Sequence, residues 1–126
     1  MASLTITLDE EGARARYFVS GTDVFVLGHY PGNPIFPGVL VLDMLTELAE
    51  ALAARTLGPG SSATLIKRVQ YLKATVPGDV LELAVVQKGR ADEVLTLTAT
   101  ATIGGTVSTR ATIECRALAL AESAHA

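Results

Sequence analysis

The chain has 126 residues, 49% of them hydrophobic and 18% charged, with few aromatics and no tryptophan. That length suits one continuous core and not two, so a single domain over residues 1–126 is expected, and the composition excludes a disordered chain. With a net charge of −3, no basic run and no Lys/Arg stripe interleaved with aromatics, nothing suggests a nucleic-acid partner and none is expected.

One cysteine, Cys115, rules out an internal disulfide and fits a reducing compartment. The first residues, Met1 to Thr7, lack the basic region and long apolar run of a signal peptide. No stretch approaches the roughly 20 apolar residues of a membrane span. A cytoplasmic protein without membrane contact is expected, ending in a frayed tail from Ala121 to Ala126.

Leu4 to Leu8 alternates as a short strand, Asp9-Glu10-Glu11-Gly12 signals a turn, and Ala13 to Val19 is extended again. Ser20 to Asp23 reads as a loop, and Val24 to Leu27 is a short apolar run leading to Gly28 and His29. From Gly28 to Gly38 the chain can be neither helix nor regular strand. Pro31, Pro34 and Pro37 lack amide donors and keep the preceding residues out of the α region.

A helix is expected from about Val39 to Arg55. Its first turns are apolar on nearly every side, which predicts burial on most faces. Asp43, Glu47 and Glu50 form its only polar stripe. Leu57-Gly58-Pro59-Gly60 stops it.

The rest reads as antiparallel strands. Thr64 to Thr75 is extended, Val76-Pro77-Gly78-Asp79 is a tight turn, and Val80 to Gln87 follows. Lys88 to Asp92 is expected as a hairpin loop. Val94 to Ile103 alternates, with Leu95, Leu97, Ala99, Ala101 and Ile103 facing the core. Gly104-Gly105 signals a hairpin. In Val107 to Ala117 the same pattern puts Val107, Ala111, Ile113 and Cys115 inward, and Ser108, Arg110, Thr112, Glu114 and Arg116 outward. Five or six antiparallel strands and one long helix make a two-layer α+β domain.

Little of the sequence offers chemistry. His29 is either a loop residue packed among prolines or a general base, its ordinary pKa of roughly 6.5 suiting proton abstraction near neutrality. Asp43 is either the first member of a solvated stripe or a general acid. Burial and the neighbouring Glu47 would favour the protonated form, and the helix N-terminus the ionised one. Gly38 is either a plain turn glycine or a backbone donor to developing negative charge at the helix start. Two histidines and one cysteine make no zinc constellation. Cys115, on an inward strand face, reads as an inert core thiol.

The stretch Gly28-His29-Tyr30-Pro31-Gly32-Asn33-Pro34-Ile35-Phe36-Pro37-Gly38-Val39-Leu40-Val41-Leu42-Asp43 resembles the active-site segment of the hot-dog-fold 3-hydroxyacyl-[acyl-carrier-protein] dehydratases. That family's pattern is G-H-F-P-G-x-P-x-x-P-G-V-L, with an acid fourteen residues beyond the histidine, where Asp43 stands here. Tyr71-Leu72-Lys73-Ala74-Thr75-Val76-Pro77-Gly78-Asp79 is similar to a second family pattern, aromatic-x-basic-P-V-x-P-G-D.

The resemblance implies a hot-dog fold, an antiparallel sheet wrapped around one helix, and a dimer with the site at its interface. It implies loss of water from a (3R)-3-hydroxyacyl thioester on an acyl carrier protein, in fatty-acid or polyketide synthesis, with no cofactor. His29 would take the C2 proton, Asp43 would protonate or orient the leaving hydroxyl, and the Gly38 amide would polarise the carbonyl. Phe25, Ile35, Phe36, Val39 and Leu40, with Glu47 beside the acid, are the candidates for substrate contact, core packing being the competing role of the apolar ones. Lys67, Arg68, Lys73, Lys88 and Arg90 are candidates for a basic rim facing the carrier.

The chain departs from the family in having aspartate for the usual glutamate at 43, Glu47 for glutamine and Ala74 for proline. It also lacks the N-terminal proline-histidine-aromatic segment. Two other readings stay open: an enoyl-CoA hydratase of the same fold, and a non-catalytic partner subunit of a heterodimeric dehydratase.

Overall fold

The computed structural model describes residues 4–20 and 35–117, so His29 and Phe25 lie outside the described residues. The described elements are β1 (Thr7–Leu8), β2 (Ala13–Phe18), α1 (Gly38–Leu57), β3 (Ser62–Tyr71), β4 (Val80–Ala91), β5 (Val94–Ile103) and β6 (Thr106–Arg116). The strands form one antiparallel sheet in the order β1-β2-β4-β5-β6-β3. This is the architecture expected for a hot-dog fold.

The helix begins where the last proline ends. Pro37 sits at the N-cap in extended conformation, its fixed φ serving the turn into the helix. From there Val41, Met44, Leu45, Leu48, Ala49, Leu52 and Ala53 are buried, the spacing of one broad apolar face. They pack on the inward rows of the sheet, Leu81, Leu83 and Val85 of β4, Leu95, Leu97 and Ala99 of β5, and Ile113 and Cys115 of β6. Each fully buried leucine contributes about 1.5–3 kcal/mol relative to exposure. At the far end Gly58, at φ 120°, donates its N–H to the Ala54 carbonyl at 3.0 Å and closes the helix.

The alternation in β5 is as expected, with buried and half-buried residues in strict succession. Gly104 and Gly105 have φ of 55° and 83°, the pair of positive values that a two-residue hairpin turn requires. Gly78, at φ 94°, follows Pro77 in the turn before β4, and its N–H donates to the Val19 carbonyl at 2.8 Å. That bond ties the turn to the end of β2.

Two expectations need correction. Lys88 to Asp92 is not a loop: β4 continues to Ala91, with a register shift between Gln87 and Gly89, and the hairpin tip is Asp92-Glu93. A bulge absorbs Lys88, so the polar run signals an irregular strand and not its end. In β6 a second shift, at Ser108, breaks the alternation. Ser108 is buried, its hydroxyl donating to the Ala101 carbonyl at 3.2 Å, while Val107 is half-buried.

Among the described strands the sheet has two unlike edges. β1 is two residues long and runs into the acidic turn Asp9-Glu10-Glu11. β3 is ten residues long and exposes Leu65, Ile66, Val69 and Tyr71, followed by Leu72. It is irregular around Arg68, which takes a left-handed φ of 56° between the paired Lys67 and Gln70.

Candidate active site

The helix lies alongside β3 and is anchored to it near both ends. Near its start, the ring of Tyr71 lies against Gly38. Farther along, Glu50 Oε2 accepts the Ala63 backbone N–H at 2.8 Å. Between these anchors the helix exposes Val39, Asp43 and Glu47, four residues apart and so on one face. Asp43 therefore stands on a surface of the single chain.

A groove of about 490 Å³ opens at the helix start. One wall is Ile35, Phe36, Gly38 and Val39. The other runs from Tyr71 to Thr75, and Thr109, paired with Tyr71, also lines the groove. The walls are joined where Phe36 N–H donates to the Thr75 carbonyl at 2.7 Å, an isolated antiparallel bridge. Gly38 is the first helical residue, and the first amides of a helix have no intrahelical acceptor.

Four of the expected site residues thus share one groove: Ile35, Phe36, Gly38 and Val39. Phe36 does so from the core, being 1% exposed, with its ring 5.7 Å from that of Tyr17. Leu40 packs against the core and does not line the groove. Asp43 and Glu47 continue the Val39 face one and two turns further on.

Sequence reasoning placed Tyr71 in a motif without giving it a role, and it passed over Thr75 and Thr109. Thr75 carried a signal, since it stands where the similar pattern has valine. Thr109 carried none, because the shift at Ser108 hides which face it occupies.

The five cations do not form one rim. Following the register, Tyr71 pairs Thr109, which pairs Ala101, which pairs Leu83. At the opposite end Ala63 pairs Cys115, which pairs Leu95, which pairs Arg90. Lys88 and Arg90 therefore lie at the end of the sheet away from Lys73 and the groove. Lys67 is engaged with Glu114, Nζ to Oε2 at 3.0 Å. Arg68 and Lys73 remain exposed on the groove's side of the edge strand.

Cys115 is wholly buried, and its thiol is pushed up to about 11 by desolvation and then by the Glu50 carboxylate. A thiol so far from ionisation is no nucleophile at neutral pH, as its inward position in the sequence implied. Among the described residues no helix is long and apolar enough to cross a membrane.

Comparison with known proteins adds to this geometry. A family model described as ApeI-like, ApeI dehydratase, matches residues 5–109. The chain is 31% identical over 99 residues to the 3-hydroxyacyl-[acyl-carrier-protein] dehydratase FabZ of Acidiphilium cryptum, covering 75% of this chain and 60% of that protein. It is 33% identical over 113 residues to the FabZ of Cronobacter sakazakii, covering 84% and 75%. With the FabZ of Levilactobacillus brevis the match covers 63% of the relative, so this chain spans somewhat less than two thirds of several curated relatives. Among solved structures, the dehydratase heterocomplex ApeI:P from Xenorhabdus doucetiae superposes with a TM-score of 0.69 at 21% identity, covering 91% of this chain and 99% of that one. A hypothetical thioesterase with coenzyme A from Streptococcus pneumoniae superposes at 0.74 and 16% identity, covering 92% and 89%. At such identities the structures establish the hot-dog fold alone. The family model spans most of the chain, both motifs included as far as residue 79, and by that match the chain belongs to the ApeI-like dehydratase family.

Proposed function

We propose that the chain is a hydro-lyase that removes water from a (3R)-3-hydroxyacyl thioester carried on an acyl carrier protein, in fatty-acid or polyketide synthesis. The observation that supports it best is the placement of Gly38 and Asp43 on one helix, the first in a groove and the second on an exposed face beside the free edge of the sheet. A second copy, adding its β3 edge, would cover that face and bring its own His29 to the acid.

In this reading the thioester carbonyl lies at the helix start, where the Gly38 amide and the helix dipole stabilise charge developing on its oxygen. His29 removes the C2 proton. The electron pair of that C–H bond forms the C2–C3 double bond as the C3–O bond breaks, and the hydroxyl leaves as water with a proton from Asp43. The acyl chain runs along Ile35, Phe36 and Val39. No electron leaves or enters, so no cofactor is needed. Arg68 and Lys73 face the acidic carrier, and the buried thiol of Cys115 accords with a cytoplasmic protein.

The same site would run in reverse as a hydratase of coenzyme A thioesters. A separate reading, a non-catalytic subunit of a heterodimer, is favoured by Glu47, which adds a second carboxylate beside the acid. One experiment separates them. The purified chain is incubated with 3-hydroxyacyl carrier protein and with the coenzyme A thioester, and loss of about 18 mass units, one water, is followed by mass spectrometry. Faster turnover on the carrier supports the proposal. Preference for coenzyme A points to the hydratase, and no turnover by the chain alone points to the partner subunit.

A further inference from the structure

The groove at the helix start is lined by two buried threonines as well as by its apolar residues. Thr75 and Thr109 are 4% and 2% exposed, and both border it. Among the described residues neither hydroxyl has a hydrogen-bond partner, whereas that of the neighbouring Ser108 does. Yet no side-chain oxygen or nitrogen of the described residues is both wholly buried and unpartnered. The small exposure left to Thr75 and Thr109 therefore includes their hydroxyl oxygens, and the groove is what they open into.

Local packing does not require these hydroxyls. Valine has the same shape as threonine, and the pattern that 71–79 resembles has valine at 75. The rim is apolar and strongly exposed, with Val39, Tyr71 and Leu72 each more than half exposed. Once substrate and a second chain cover that rim, water is excluded from the floor. A saturated hydrocarbon chain would then leave two donors unpaired, which is the circumstance in which a site rejects an analogue lacking the matching oxygen.

We propose that the groove selects a 3-hydroxyacyl thioester whose chain carries a further hydrogen-bonding oxygen, a hydroxyl or keto group beyond C3, and that Thr75 and Thr109 bind it. This rests on the dehydratase reading, in which the acyl chain runs along Ile35, Phe36 and Val39. The thioester carbonyl is not the group these hydroxyls serve, because the Gly38 amide takes that oxygen. The two threonines are specificity residues and move no proton.

The test compares 3-hydroxyoctanoyl, 3,5-dihydroxyoctanoyl and 3,7-dihydroxyoctanoyl groups on an acyl carrier protein, in direct competition. Wild type should favour one of the dihydroxy substrates at least tenfold in kcat/KM. Thr75→Val with Thr109→Val, which keeps side-chain volume, should remove that preference, the favoured dihydroxy substrate losing at least tenfold relative to the plain chain. Serine at both positions should restore it. Equal use of all three substrates by wild type overturns the inference, as does a preference that survives in the double valine variant. An equal slowing of all three in that variant also overturns it, since the hydroxyls would then serve a part common to every substrate. If wild type dehydrates none of them, the dehydratase reading fails on its own account. Calorimetric binding of the corresponding pantetheine thioesters then tests the groove directly: the same preference supports the two threonines as its binding groups, and equal binding of all three overturns that role.

Discussion

The ring of Tyr71 lies against Gly38 so closely that a β-carbon at position 38 would sit 2.8 Å from two of the ring carbons. Glycine is required there by the approach of a side chain and not by its own backbone, which is helical. The contact holds the edge strand to the helix start. Gly38→Ala should push the ring outward, which it can do because Tyr71 is 54% exposed. The expected result is a stability loss of about 1 kcal/mol, as for mild overpacking, but a fall in kcat/KM of more than tenfold as the ring and amides shift. Tyr71→Ala should recover part of that loss in the double variant. Chemical denaturation and steady-state rates check both, and additive effects would show that the two residues are not coupled.

Asp43 is exposed, so its substitution should leave folding almost untouched while removing chemistry. Asp43→Asn is expected to change stability by less than about 0.5 kcal/mol and to lower dehydration by roughly 10²–10⁴, the usual range for loss of a general acid or base. His29→Ala should fall in the same range. Mass-spectrometric assay beside thermal melting separates the two effects, and full activity in both variants would remove them from the site.

The free edge gives a prediction about assembly. Val69 is an exposed apolar residue within the irregular part of β3. Val69→Glu should put a charge into any strand pairing there and shift the protein toward monomer in sedimentation at micromolar concentration. Activity should fall with the dimer fraction if the acid of one chain serves the histidine of another. A monomeric variant with full activity would refute a shared site.

Cys115 sets a pH dependence whose sign follows from its burial. Its thiol is pushed up from 9.0 to about 11 in the folded chain. The folded state therefore holds a proton that the unfolded state releases, so this contribution to stability is complete below about pH 9 and is lost as pH rises toward 11. Denaturation curves from pH 8 to 11 should show a decline that is shallower in Cys115→Ala, and the native thiol should react with aromatic disulfides only on unfolding.

Much of this was legible because pattern and burial agree. The alternation of Leu95, Leu97, Ala99 and Ala101 follows the pleat of a sheet with one buried face, and Gly104-Gly105 occupies a hairpin turn that such a pair favours. The helix was readable for the same reason, Asp43 and Glu47 lying on its exposed side while the apolar residues face the sheet. Lys88, Ser108 and Arg68 misled or were silent, since a bulge shifts register by one residue without a sequence signal of its own. At the candidate site, Gly38, Ile35, Phe36 and Val39 could be named from the motif. Tyr71 and Thr75 stood in the second motif without a role and Thr109 carried no signal, because their relevance comes from pairing across strands distant in sequence. The cations failed as a group for the complementary reason: nearness in sequence pattern did not survive the sheet register.

The inequality of the two sheet edges has a consequence for solubility at high concentration. Strand addition can propagate indefinitely only when each newcomer brings a fresh adhesive border with it. Here one border is long and apolar, and the other is two residues long and leads into three consecutive carboxylates. Among the described strands, a partner that takes the first border leaves the second as the other one, and so short and acidic a border disfavours growth beyond a single step.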